Sequence, residues 1–110
     1  MSVDLTRRLT LEAPLKQADG AGGHTESWSV LGYVWGHIDT IGAGIEGTPE
    51  GMSSNVRTRI TMRAAPVGSS RRPKPEQRLR EGSRVFEIDA VTESEHPLYL
   101  WVWASEAVLQ

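Results

Sequence analysis

The chain has 110 residues, a formal net charge of −2 and no cysteine. A domain of this length buries roughly 65% of its unfolded surface; the total charge argues for no polyanionic partner, and the lack of cysteine excludes disulfide staples, thiolate zinc sites and cysteine nucleophiles. No apolar run approaches the roughly 20 residues of a membrane helix, so the expectation is one soluble domain over residues 1–110, folded in a reducing compartment.

The opening Met1-Ser-Val-Asp-Leu-Thr-Arg-Arg8 has no apolar signal core and is expected to lead into a strand. Strand periodicity then runs from Leu5 to Ala13, with Leu5, Leu9 and Leu11 inward and Thr6, Arg8, Thr10 and Glu12 outward. Asp19 to Gly23 reads as a turn, because glycine accepts positive φ at no steric cost. A second extended region spans Thr25 to Thr40 and holds Trp28, Val30, Tyr33, Val34, Trp35 and Ile38. Gly32 and Gly36 inside it point to bulges or sharp bends, as a small curling sheet requires.

After Thr40 the alternation stops. Ile41 to Ser54 carries four glycines, one proline and no basic residue, and is expected to form a long flexible loop projecting from the domain over about 40–54. Asn55 to Ala64 resumes as a strand, with Val56, Ile60 and Met62 on one face and Arg57, Arg59, Thr61 and Arg63 on the other. A second loop, basic and stiffened by prolines, covers about 66–76. Gln77 to Arg80 is a short strand and Glu81-Gly82-Ser83 a turn.

The last stretch is the clearest. Arg84 to Val91 and Pro97 to Ala104 alternate on either side of a polar turn, the signature of an antiparallel hairpin. In the first arm Phe86, Ile88 and Ala90 oppose Val85, Glu87, Asp89 and Val91; in the second, Leu98, Leu100, Val102 and Ala104 oppose Tyr99, Trp101 and Trp103. The second arm is apolar on both faces, so a closed barrel or a neighbouring subunit must cover it. The expected fold class is all-β: a small antiparallel barrel or sandwich of five to six strands, without helices or repeats.

Charge is unevenly distributed. Nine of the twelve basic residues lie between Arg57 and Arg84 with only Glu76 and Glu81 among them; the remainder holds three basic and twelve acidic residues. Such a polarised subunit suits head-to-tail association of copies.

Little here suggests catalysis. His24, His37 and His96 lack metal-motif spacing; His37 and Asp39 share a strand face but have no third ligand nearby. Glu87 with Asp89, and Glu93 with Glu95, are carboxylate pairs on a strand and in a turn, where acidic residues are commonplace. No nucleophile elbow, phosphate-binding lysine loop or dinucleotide fingerprint is present. The expectation is no enzyme, no cofactor and no metal. Trp28, Trp35, Trp101 and Trp103 raise a rival reading, a single-stranded nucleic-acid-binding barrel of OB type. Against it, aromatics and arginines occupy different segments, and tryptophan commonly serves a core or interface.

The order of pieces resembles the head–tail connector family of tailed phages, the head-closure or stopper proteins that also occur in phage-derived gene transfer particles. The resemblance runs over most of the chain: Leu5-Thr-Arg-Arg-Leu-Thr-Leu11, the turn and strand from Gly22 to Trp28, Val34-Trp35-Gly36-His37-Ile38, a long loop, Arg57 to Arg63, then Gly82 to Ile88 and the hairpin. Departures are the glycine-rich Gly42 to Gly51, where relatives often carry a more polar, partly helical insert, and the longer, more basic Ser69 to Pro75.

The resemblance implies a structural virion protein, made in the bacterial cytoplasm, that forms a homo-oligomeric ring of twelve copies at the head–tail interface. Its partners would be a portal-bound adaptor on one side and a tail terminator or first tail protein on the other, with double-stranded DNA passing through the lumen and no membrane contact. A tail-terminator or tail-tube protein is a further alternative. In the connector reading the loop of Gly42, Gly44, Ile45, Glu46, Gly47, Thr48, Pro49, Glu50 and Gly51 projects toward the channel and gates it. Fifteen residues folded back on themselves reach roughly 25 Å at about 3.4 Å per residue. Glu46 and Glu50 add negative charge with no nearby cation to grip phosphates. Arg71, Arg72 and Lys74, with Arg57 and Arg59, are the expected partner interface.

Overall fold

Apolar residues recurring at every second position close six strands around one core. In a computed structural model describing residues 4–18, 24–48 and 51–109, the strands are β1 (Arg7–Ala18), β2 (His24–Thr48), β3 (Gly51–Arg63), β4 (Arg78–Glu81), β5 (Arg84–Glu93) and β6 (Tyr99–Leu109). They form a closed antiparallel barrel in the order β1-β2-β3-β6-β5-β4. Leu9 and Leu11, Ile60 and Met62, Leu79, Phe86 and Ile88, and Leu100, Val102 and Ala104 are buried together, with Val34, Ile38 and Val91 packed on them. All six strands contribute, and side chains fill the interior, as expected for so narrow a barrel.

The barrel is strongly sheared. From Gly42 the pairings lead through Arg57, Ser105, Glu87, Arg78 and Glu12 back to Val30, so one circuit returns twelve residues earlier on β2 (42 − 30 = 12). That offset tilts the strands against the barrel axis. It also explains β2. Its 25 residues would span roughly 80 Å if straight, yet the molecule extends only 51 Å along its longest axis. The strand therefore curls, helped by bulges where Leu31 and Ile41 are inserted into the pairing. The first bulge adjoins Gly32, as the glycine placement suggested. Gly36 serves a different purpose: a Cβ there would lie 3.0 Å from Ile60 Cγ2 and 3.1 Å from Leu9 Cδ1, so glycine permits a close approach of β2 to the core.

Four expectations are corrected. The stretch expected as a loop over 40–54 is strand: Gly42↔Arg57 through Thr48↔Gly51 pair in register, and β6 adds Ser53↔Leu109. The pairing is made by the backbone, whereas the glycines at 42, 44, 47 and 51 interrupt the side-chain pattern, so the apolar alternation that reveals a barrel strand is missing from the segment. Ala90, expected on the face of Phe86 and Ile88, and Val91, expected opposite them, exchange sides: Ala90 pairs with Trp103 and Val91 packs on the core, because a bulge at Asp89 between Ile88↔Ala104 and Ala90↔Trp103 flips the following residues. Leu98, expected on the inner face of the second arm, precedes β6 and is exposed. Glu12 faces outward as expected but is buried, covered by two arginines from β4.

Candidate functional site

The backbone places Gly42 at the second bulge of β2, and Gly44, Ile45, Glu46, Gly47, Thr48 and Gly51 on the β2–β3 ribbon beyond it. Pro49 and Glu50 lie outside the described residues. The five basic residues expected to act together are divided. Arg71, Arg72 and Lys74 lie in the connection between β3 and β4, at one mouth of the barrel. Arg57 and Arg59 lie on β3 toward the ribbon; from Arg57 to the end of that strand at Arg63 is roughly 20 Å.

These cations also differ in how they are engaged. Arg72 Nη1 donates to the Ala65 carbonyl at 3.1 Å and ties the basic connection to the end of β3. Arg59 Nη2 donates to Asp39 Oδ2 at 3.4 Å, its guanidinium lies 4.5 Å from the Trp101 ring centre, and its Nε is buried without a hydrogen-bond partner among the described residues. His37 Nε2 is 3.2 Å from Asp39 Oδ1, so this carboxylate belongs to a histidine–arginine cluster. Arg71 and Lys74 are exposed and have no ion pair among the described residues.

Much of the basic segment is neutralised from within. Arg78 Nε and Arg80 Nε donate to Glu12 at 2.7 and 3.2 Å, and Arg78 also stacks 3.9 Å from the Trp28 ring centre. Arg84 grips Glu106 through two bonds of 2.8 and 2.9 Å. Arg7 pairs with Glu81, which Arg84 also approaches at 3.8 Å. Hydrogen bonding from Arg7 holds the Glu81 carboxyl below the usual carboxylate range, and the Glu106 and Glu81 carboxylates raise the corresponding arginines. Sequence reasoning missed these networks. Apart from Arg84 with Glu81, their partners are 22 to 74 residues apart, and nothing local marks them.

The tryptophans do not form an open stacking groove. Trp28 and Trp101 each carry an arginine on the ring; Trp103 meets Trp101 edge-on at 5.9 Å and donates to Thr92 Oγ1 at 2.8 Å. Trp35, 56% exposed, stands apart. With Tyr33 it borders a cleft of about 560 Å³ between β2 and the basic connection, which Leu31, Met62, Arg63 and Arg71 also line. Among the described residues the surface thus offers cations, aromatics and a ribbon.

The family model for the phage head completion protein matches residues 1–106. The chain belongs to that family. Among solved structures, a chain from the virion of a native gene transfer agent particle matches with a TM-score of 0.86 and 40% identity, covering 99% of this chain and 100% of that one. No curated protein matches. Phage head completion proteins are structural components of the particle, and this family member accordingly belongs in a virion or virion-like particle.

Proposed function

We propose that the chain forms a ring, of twelve copies, at the head–tail interface of a phage-like particle, where it closes the DNA-filled head and docks the tail. The observation that carries this reading is the end-to-end likeness, at 40% identity, to a chain of a gene transfer agent virion. The filled barrel is consistent with it: DNA has no path through one subunit, so a channel must lie between copies. A portal-bound adaptor would meet one face of the ring and a tail terminator or first tail protein the other.

In this reading the ribbon over 40–54 is the gate. Pairing makes it stiffer than a glycine loop, while the Ile41 bulge offers a place to bend. No lysine or arginine lies between Ile41 and Ser54, so the ribbon would obstruct DNA without gripping phosphates.

The register supplies the test. Removing residues 45–48 and 51–54 deletes four matched pairs and leaves Gly44 opposite Asn55 across the original turn. Particles carrying this shortened chain are expected to assemble with the protein present but to lose DNA on storage, measured as nuclease-protected DNA per particle. Full DNA retention and normal delivery would remove the gate from the reading.

A further inference from the structure

The closed strand order places two unlike walls on opposite sides of the barrel. β2 and β5 are three strands apart whichever way the circuit is followed. On the outer face of β2, Trp35 stands beside its register partner Arg8 of β1, whose guanidinium lies 4.2 Å from the Tyr33 ring centre. Arg63 of β3 borders the same cleft as Trp35. Arg8 and Arg63 are exposed and form no ion pair among the described residues. With Tyr33 59% and Trp35 56% exposed, this wall is aromatic, cationic and open.

The opposite wall has the complementary character. From Tyr33 the pairings lead through Thr10 and Arg80 to Val85; from His37 they lead through Thr61 and Trp101 to Thr92. Glu87 and Asp89 lie midway between those two endpoints, diametrically across from Trp35. Both are exposed, neither has an ion pair among the described residues, and Asp89 is held outward by a 2.7 Å hydrogen bond from Ser105 Oγ. Half-buried Ala90 and Trp103 beside them supply apolar surface.

We propose that the β2 wall of one copy, centred on Trp35 with Arg8 and Arg63, receives the β5 wall of the next copy through Glu87 and Asp89. Unlike patches on opposite sides of a subunit make a heterologous contact, which repeats and closes into a ring when the rotation between copies allows. Opposite charges fix the order of the two walls and oppose a symmetric dimer, because two β2 walls would juxtapose their arginines. The aromatic pair supplies the apolar centre, and arginine with tryptophan and tyrosine is the composition typical of strong contact points. The inference rests on the ring reading above and names its subunit contact.

Particles are assembled with Trp35→Cys and Asp89→Cys together in this cysteine-free chain, and with each alone, then treated with a short bismaleimide and run on denaturing gels. The expected result is a ladder of multimers for the double variant, at least tenfold stronger than for either single variant. Dimers from Trp35→Cys alone would mean that two β2 walls meet, and would overturn the proposal. Monomers throughout, in particles holding several copies, would overturn this contact while leaving the ring intact. A single copy per particle would overturn the ring itself. Should Trp35→Cys keep the chain out of particles, charge reversal decides. Arg8→Glu with Arg63→Glu, or Glu87→Arg with Asp89→Arg, is expected to lower incorporation at least tenfold. Combining all four should restore it; failure to restore would overturn the proposal.

Discussion

Arg84 at the start of β5 clasps Glu106 near the end of β6, Nε to Oε2 at 2.8 Å and Nη2 to Oε1 at 2.9 Å, with the carboxylate almost wholly buried. Replacing Glu106 by glutamine leaves the guanidinium without its charged acceptor. The half-exposed arginine regains part of that loss from water, so the expected cost is about 1–2 kcal/mol. Thermal unfolding should show a Tm lowered by roughly 5–10 °C. Arg84→Lys keeps the charge but loses the two-pronged geometry, and should fall between the two.

Glu81 sets a pH dependence. Its carboxyl titrates lower in the folded protein than in the unfolded chain, chiefly through the hydrogen bond from Arg7. Its contribution to stability is thus complete above the unfolded value, near pH 4.5, and is lost as pH falls through the lower folded value. The Tm difference between the natural chain and Glu81→Gln should be constant above about pH 5 and shrink steadily below about pH 4. A difference that grew on acidification would contradict this assignment.

Two glycines of β2 should respond in opposite directions. At Gly36 a methyl group would press on Ile60, Leu9 and the Thr61 carbonyl, within 3.0 to 3.3 Å, whereas at Gly32 nothing lies within 4 Å. Gly36→Ala is expected to destabilise by about 1–3 kcal/mol through overpacking. Gly32→Ala should be neutral or stabilise by up to about 1 kcal/mol, since alanine restricts the unfolded chain. Denaturant titration of the two variants separates the cases.

The basic connection separates anchoring from docking. Arg72→Ala removes the bond to the Ala65 carbonyl, so increased proteolysis between 66 and 76 is expected. Reversing Arg71 and Lys74 to glutamate touches exposed groups and should leave Tm within about 3 °C, as is usual for surface changes. If this mouth meets an acidic partner, the same reversal blocks tail attachment, counted as tailless particles in negative stain. Normal attachment would assign docking elsewhere.

How much was legible depended on what each residue buries. Phe86 and Ile88, and Leu100 and Val102, fall at every second position of their arms, and the final hairpin was readable because one face of each arm meets the core. The ribbon over 40–54 was not, since its pairing is a backbone matter and glycine mutes the side-chain pattern. Bulges at Leu31, Ile41 and Asp89 each slip the alternation by one residue, so faces drawn from uninterrupted periodicity went astray at Val91. The basic stretch looked like one pole in the sequence. Folding pairs Arg78 and Arg80 with one carboxylate brought from β1 and Arg84 with another from β6.

By itself the sequence determined the all-β class, the strand-forming segments and a particle-protein resemblance, because these follow from local alternation, turn residues and the order of short motifs. Tertiary structure alone decided which carboxylate each arginine meets, that β2 curls through the barrel into a ribbon, and that Trp35 and Asp89 occupy opposite walls. Those outcomes depend on shear and closure, which sum the register of six strands over a whole circuit and cannot be read from any one of them.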